Sequence, residues 1–170
     1  MTIYASRFEP GSRPLTAVVD EGGALTHLLF AHQPVPAGAV WDDERCAPAV
    51  GQLREYFAGD RTAFDVRMQP AGSPFQRRVW DALRQIPFGQ TVSYGELAAR
   101  LGVPGRARAV GRANATNPIP IIVPCHRVIG ADHSLTGYAG GMEMKVSLLR
   151  LEGVPVADGA RPRVGTTSAP

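Results

Sequence analysis

The 170-residue sequence contains only two cysteines, Cys46 and Cys125, and they do not form a C-x-x-C pair. A small secreted protein held together by disulfides would be expected to carry more. The four histidines are scattered along the chain, so the ligand spacing of a structural zinc site is missing as well. We therefore expect no disulfide framework, no bound metal and no cofactor.

Long hydrophobic runs are also missing. No stretch approaches the ~18 apolar residues that a membrane-spanning helix needs. The first ten residues, MTIYASRFEP, lack the basic and apolar regions of a secretory leader. We expect a protein that does not enter the membrane and that is cytoplasmic. The composition, with 44% hydrophobic and 19% charged residues, is typical of a folded globular chain.

Charge is divided unevenly along the chain. Residues 1–70 carry 6 basic and 9 acidic side chains, whereas residues 71–153 carry 10 basic and 5 acidic ones, which gives net charges of −3 and +5. The basic half predicts a polyanionic partner. A solvated basic face without a partner is the alternative.

The sequence pattern predicts an N-terminal α/β domain over residues 1–70. Predicted strands cover residues 2–8, 15–20, 24–30 and 62–69. One apolar stripe recurs at helical spacing and consists of Cys46, Val50, Leu53 and Phe57. Cys46 is therefore most simply a core residue.

The second predicted domain covers residues 71–154 and is mainly helical. Ser73-Pro74-Phe75-Gln76 has the form of a capping box, and Ser93-Tyr94-Gly95-Glu96 repeats it. After a break at Gly102-Val103-Pro104, a basic helix is predicted over residues 105–114. Two helices joined by such a break form a helix-turn-helix pattern.

The predicted second helix has two unlike sides. Arg108 and Arg112 are four residues apart and share one side, opposite Ala109, Val110 and Ala113. Small residues on this helix let its backbone come close to a groove. From Pro155 onward the sequence shows no apolar periodicity, and residues 155–170 are predicted to be a flexible tail.

The pair Cys125-His126 follows the longest apolar run of the chain. A thiol in a dehydrated place beside a titratable base is how proteins build a strong nucleophile. The alternative is a buried cysteine that only fills space. Asn117 and the prolines Pro118, Pro120 and Pro124 stiffen the approach, which indicates a rigid turn and favours the nucleophile.

These elements together resemble the catalytic domain of the O6-alkylguanine-DNA alkyltransferase family, also called methylated-DNA-protein-cysteine methyltransferases. The most specific matching segment is Pro124-Cys125-His126-Arg127-Val128. Further matching stretches are residues 75–80, 86–89, 93–98, 108–111, 117–120, 135–141, 145–149 and 152–153. The resemblance implies a ribonuclease H-like fold for the N-terminal domain and a winged-helix-like fold with the helix-turn-helix for the second.

The resemblance also implies roles for individual residues. Cys125 would accept the alkyl group in a single turnover, His126 would be reached through a water, and Glu152 would polarise that histidine. Tyr94 would donate a hydrogen bond to the base, and Asn117 would hold the cysteine turn.

The implied partner is double-stranded DNA that contains O6-alkylguanine, bound in the minor groove with the damaged nucleotide flipped out. Arg108 would enter the base stack while Ala107 and Gly111 lie against the groove and Arg112 contacts a phosphate or only solvent. The base pocket would be lined by Val128, Tyr138, Ala139 and Gly140. Many relatives have serine in place of Ala139, so one side-chain contact to the base would be missing.

Three other functions compete with this interpretation. Relatives that only recognise alkylated bases lack the acceptor cysteine, which is present here. A transcription regulator would need a further module, and a cysteine hydrolase would leave the helix-turn-helix beside the thiol unexplained. We expect a monomer. The sequence leaves open cooperative binding on DNA, the range of alkyl groups, repair of O4-alkylthymine and the role of the tail.

Overall fold

The computed structural model describes residues 1–157 and 162–165. Within these residues the fold is mixed α/β, with five α-helices and eight short strands. The chain divides into two compact units. The first holds Met1–Ala71 together with Pro118–Ile122, and the second holds Gly72–Asn117 and the described residues from Val123 onward. None of the described helices has the length and apolar character needed to cross a membrane.

The first unit contains a four-stranded sheet in the order β3-β2-β1-β4. Its strands are β1 (Tyr4–Phe8), β2 (Leu15–Val19), β3 (Leu25–Phe30) and β4 (Val40–Trp41). The first three strands pair antiparallel, and β4 pairs parallel to β1. The turn between β2 and β3 forms because Asp20 Oδ1 accepts the amides of Gly22 and Ala24, and Gly23 adopts φ 82°.

Helix α1 (Asp43–Phe57) is capped at its N-terminus by Asp42, whose side chain accepts a hydrogen bond from the amide of Arg45. Its buried residues are Cys46, Ala49, Leu53 and Tyr56. The apolar stripe is therefore rotated from the predicted one, because Val50 and Phe57 are only half-buried.

The predicted strand over residues 62–69 is not formed in the first unit. Only Met68 forms a bridge, to Leu25. The Gln52 side chain instead holds the backbone of Asp65 through two hydrogen bonds of 2.9 Å. A side chain of α1 thus satisfies backbone groups that a sheet would otherwise have paired.

The second unit contains α2 (Pro74–Leu83), α3 (Tyr94–Arg100) and α4 (Ala107–Ala115). The predicted capping box at Ser73 is formed in both directions with Gln76. Ser93 accepts the Glu96 amide at the start of α3. Helices α3 and α4 pack against each other across the turn of residues 101–106. Trp80 of α2 is buried, and its indole N–H donates to Ala113 O at 2.9 Å.

Strand β5 (Val92–Ser93) pairs parallel to β6 (Val128–Ile129), which places the start of α3 beside the residues that follow the Cys-His pair. Helix α5 (Met142–Leu151) follows and ends at Glu152.

The expectation of a flexible tail is wrong for its described part. Strand β7 (Val156–Ala157) pairs antiparallel with β8 (Arg163–Val164). Val156 and Val164 also pack on a buried cluster of the second unit, which consists of Ile129, Leu135, Leu149 and Val154. One valine from each two-residue strand thus packs on this cluster, and two isolated valines are too few to show a sequence periodicity. Residues 158–161 and 166–170 lie outside the described part.

Candidate active site

Cys125 begins a single turn of 3-10 helix, Cys125–Arg127, directly after Pro124. The Cys125 amide and the side-chain amide of Asn117 both donate to Val123 O, each at 2.8 Å. The cysteine itself is 5% exposed. Two donors therefore hold one carbonyl just before the thiol, and Asn117 lies at the turn.

Burial raises the pKa of the Cys125 thiol to about 11, and a hydrogen bond from Asn117 and the charge of Lys145 act in the opposite direction. Lys145 lies on α5 and is 0% exposed. Its Nζ donates to Val128 O at 2.8 Å and to Thr136 O at 3.3 Å. Burial lowers the pKa of Lys145 to about 8, and the Cys125 thiolate raises it. The lysine is therefore a buried cation that favours the thiolate.

His126 and Glu152 meet in the interior of the second unit. His126 Nε2 lies 2.7 Å from Glu152 Oε2, and both side chains are fully buried. Arg127 binds the same carboxylate with both oxygens, from Nε to Oε1 at 2.7 Å and from Nη2 to Oε2 at 2.9 Å. Its Nη1 donates to Ile86 O at 2.6 Å. Arg127 thus neutralises and orients Glu152.

The protonation of His126 follows from this arrangement. Burial lowers the pKa of His126, and the hydrogen bond and charge of Glu152 oppose that effect. A neutral imidazole donates its Nε2–H to Glu152, which leaves Nδ1 as an acceptor. Buried Nδ1 has no hydrogen-bond partner in the described part of the chain. The ring therefore carries one free acceptor that can take a proton.

Tyr94 begins α3, and its hydroxyl lies 2.6 Å from Thr136 Oγ1. Burial raises the pKa of Tyr94, the hydrogen bond with Thr136 lowers it, and the charge of the Cys125 thiolate raises it. The phenol therefore stays protonated and can donate. Gly111 of α4 lies next to the same ring, since a methyl group placed at Gly111 would be 3.6 Å from it.

The outer side of α4 is basic. Arg108 and Arg112 are exposed, whereas Val110 and Ala113 are buried and Ala109 is half-buried, so the predicted division of this helix is confirmed. Ala107 and Gly111 are half-buried. Ten basic side chains lie between residues 71 and 153, and two of them, Arg127 and Lys145, are buried in the site and do not contribute to the surface. The net charge of +5 therefore overstates the basic surface.

The remaining predicted base-pocket residues differ in exposure. Val128 is 0% exposed, and its carbonyl is bound by Lys145. Tyr138 and Gly140 are half-buried and Ala139 is exposed, all in the loop before α5. Among the described residues, no three His, Cys, Asp or Glu side chains are placed to hold a metal ion.

Residues 74–154 match the family model described as the DNA-binding domain of 6-O-methylguanine DNA methyltransferase. The methylated-DNA–protein-cysteine methyltransferase of Mycobacterium tuberculosis is 53% identical over 142 residues, which are 82% of this chain and 86% of that protein. The chain belongs to this methyltransferase family.

A relative from a second organism and a solved structure also match this methyltransferase family member beyond its second unit. The methylated-DNA–protein-cysteine methyltransferase of Methanosarcina acetivorans is 47% identical over 155 residues, 89% of this chain and 99% of that protein. The crystal structure of Mycobacterium tuberculosis OGT in complex with DNA matches with a TM-score of 0.82 at 50% identity, over 88% of this chain and 92% of that one.

Sequence reasoning missed three residues of this methyltransferase site. Arg127 lies inside the most specific motif, and its place next to His126 could have marked it as a partner of Glu152. Lys145 and Thr136 lie in stretches that match the family, but the sequence assigned them no role, because a lysine near a helix start and a threonine in a loop are ordinarily exposed. Their roles follow only from the fold, which places the charge of Lys145 near Cys125 and the hydroxyl of Thr136 against that of Tyr94.

Proposed function

We propose that this chain is a methylated-DNA–protein-cysteine methyltransferase that repairs DNA by moving the alkyl group of O6-alkylguanine to Cys125. One observation carries the proposal, namely a buried thiol that Asn117 and Lys145 favour as thiolate, beside the His126–Glu152 pair. The family membership and the DNA complex of a relative support it.

In the proposed reaction the sulfur of Cys125 attacks the alkyl carbon in line with the departing oxygen. The thiol proton passes through a water to Nδ1 of His126, the S–C bond forms and the C–O bond breaks. The guanine leaves as an anion that the Tyr94 hydroxyl stabilises with a hydrogen bond, and the proton held by His126 balances its charge. The product thioether is not hydrolysed, so each molecule acts once.

The damaged base must leave the duplex to reach Cys125, at a cost of a few kcal/mol. Arg108, exposed on α4, fills the vacated stack, and Arg112 contacts a phosphate. Ala107 and Gly111 allow the backbone to approach the minor groove. Val128, Tyr138, Ala139 and Gly140 form the base pocket, with the backbone amide near Ala139 in place of a serine side chain.

Three finer features belong to the same proposal. The first unit has a ribonuclease H-like fold, and the second has a winged-helix-like fold in which α3 and α4 form the helix-turn-helix. The protein acts as a monomer on DNA. A cytoplasmic location suits a chromosomal substrate.

The proposal is tested by intact-mass analysis after the protein is mixed with duplex DNA that contains one O6-methylguanine. We expect a gain of one methyl group per molecule, mapped by peptide mass to Cys125, and no further gain with excess DNA. A methyl group on Cys46, or repeated turnover, would contradict the proposal.

A further inference from the structure

Strand β8 in the C-terminal segment is paired on both sides. On one side it pairs with β7. On the other side it bonds to the loop that follows β6, because the Leu135 amide donates to Pro162 O at 2.9 Å and the Val164 amide donates to His133 O at 3.0 Å. An isolated bridge joins Ser134 and Arg163. Residues 133–135 therefore act as a third strand beside β8.

The loop segment that β8 holds is under local strain. His133 adopts φ 67°, a left-handed conformation that residues with a side chain rarely adopt. The turn is closed by the Gly130 amide, which donates to Ser134 O at 2.9 Å. Such a conformation persists only when its surroundings hold it. Hydrogen bonds within the turn, such as that from the Ser134 amide to Asp132 Oδ1, supply part of that restraint, and the two backbone bonds to β8 supply the rest.

The next residues in the chain lead directly to the active site. Leu135 is 7% exposed and belongs to the buried cluster on which Val164 packs. Thr136 follows at once, with its hydroxyl 2.6 Å from the Tyr94 hydroxyl and its carbonyl 3.3 Å from Lys145 Nζ. The position of Leu135 therefore sets the position of Thr136, and Thr136 contacts both groups that surround the thiol.

We infer that residues 162–165, named here the strap, are a positioning element for alkyl transfer that holds Thr136 in contact with Tyr94 and Lys145. The strap touches none of the reacting atoms and acts through Leu135. The inference rests on the proposed function. It also lies outside the matched family range, which ends at residue 154.

The backbone bonds and Val164 carry this role, and the charged side chain of the strap does not. Arg163 lies 3.4 Å from Asp132, but the two side chains are 58% and 62% exposed. Exposed ion pairs of this kind contribute little. Val164, by contrast, is half-buried against the cluster and bonds to His133. The two neighbouring residues therefore offer a matched pair for a test.

The strap is tested by two truncations, one ending after Arg161 and one ending after Gly165. The first removes the strap, and the second removes only residues 166–170 and serves as the control. We expect the first truncation to lower the single-turnover rate at saturating methylated duplex about ten- to a hundredfold, because small misplacements of reacting groups have effects of that size. DNA affinity should stay unchanged, because α4 is untouched. The control should match the wild type in both measurements.

Point variants keep the test decisive if the shorter chain fails to fold. Val164→Ala should lower the saturating rate severalfold without changing DNA affinity, and Arg163→Ala should change neither. Equal saturating rates for folded Val164→Ala, Arg163→Ala and the wild type would overturn the inference. A wild type that transfers no methyl group would instead overturn the proposed function, so the two failures are distinguishable.

Discussion

Cys46 of the first unit and Cys125 of the second differ in their neighbours, although burial is similar. Cys46 is 0% exposed and Cys125 is 5% exposed, and burial raises the pKa of each thiol to about 11. Around Cys46 burial is the largest cause of the raised pKa, and the carboxylates of Asp42 and Asp43 act in the same direction. Around Cys125 burial is again the largest cause, but a hydrogen bond from Asn117 and the charge of Lys145 oppose it.

The hydrogen bonds of the two thiols point to the same difference. Cys46 Sγ lies 3.8 Å from both Tyr4 O and Ala17 O, which are acceptors that favour the protonated thiol. Cys125 has a donor in Asn117 and a buried cation in Lys145, and the next residue is His126, whose Nδ1 has no hydrogen-bond partner among the described residues. Burial alone thus produces an inert core cysteine. The arrangement of donors and positive charge around the sulfur is what makes a nucleophile.

The largest expected effect separates the two cysteines. Cys125→Ser should abolish methyl transfer and leave the affinity for methylated duplex unchanged, because the hydroxyl is a far weaker nucleophile. Cys46→Ala should retain the wild-type rate and lose about 1 kcal/mol of stability for the missing buried sulfur. Single-turnover assays and thermal unfolding of both variants measure this. Substantial loss of transfer in folded Cys46→Ala would contradict the comparison.

Sequence reasoning found the Cys125-His126 pair because it lies in a short, specific motif. It found the capping box at Ser73 and the N-cap at Ser93 because capping is local chemistry, although Glu96 does not complete a second box. The assignment of residues 118–122 to the first unit could not be predicted, since it depends on a tertiary bond in which the Leu28 amide donates to Pro118 O at 2.9 Å. Ile121 adopts φ 74° in that segment, a conformation that propensity disfavours for a β-branched residue. The burial of Lys145 could not be predicted for the same reason, because the tertiary fold decides whether a lysine is buried.

The next effect concerns the charges around His126. No histidine adjoins Cys46 in the sequence, so this effect is specific to the Cys125 site. Transfer should fall at low pH as His126 becomes protonated, with a midpoint below 6.5, because burial lowers the pKa of this histidine. Glu152 raises that pKa and Lys145 lowers it. Glu152→Gln should therefore move the midpoint to lower pH, and Lys145→Met should move it to higher pH.

Both variants should also transfer more slowly at pH 7.5, about ten- to a hundredfold, because each removes a charge that orients or stabilises the reacting groups. The measurement is the single-turnover rate with free O6-benzylguanine between pH 4.5 and 8. His126→Ala, as the control, should show no fall of the single-turnover rate at the acidic end of this range. If the pH midpoint shifted in the same direction for the two variants, the fall of the rate at low pH would not report the protonation of His126.

A smaller effect separates chemistry in the interior from recognition on the surface. Arg108→Ala should slow repair of duplex DNA by roughly tenfold or more and leave the reaction with free O6-benzylguanine nearly unchanged, because the arginine only offsets the cost of flipping. Arg112→Ala, on the same exposed side of α4, is the matched control and should weaken DNA binding without this selectivity. Equal losses on both substrates for Arg108→Ala would assign the arginine a different role.

The smallest expected effect distinguishes exposed from buried cations. If four phosphates are neutralised, the log of DNA affinity should fall with the log of salt concentration at a slope of about −3.6. Arg112→Ala should reduce the magnitude of that slope by about 0.9. Lys145→Met should not change it, since Lys145 is 0% exposed. A salt dependence that responds to Lys145→Met would mean that this lysine reaches DNA.

The most direct measurement of the difference between the two cysteines is their alkylation in one sample. One portion of a native sample is mixed with free O6-benzylguanine, digested and mapped by mass. A second portion that has not met O6-benzylguanine is denatured in urea and treated with iodoacetamide to establish that both thiols are detected. The account predicts benzylation of Cys125 alone in the native protein and labelling of both cysteines after denaturation. Comparable benzylation of Cys46 in the native protein would contradict the claim that neighbouring groups, rather than burial, create the nucleophile.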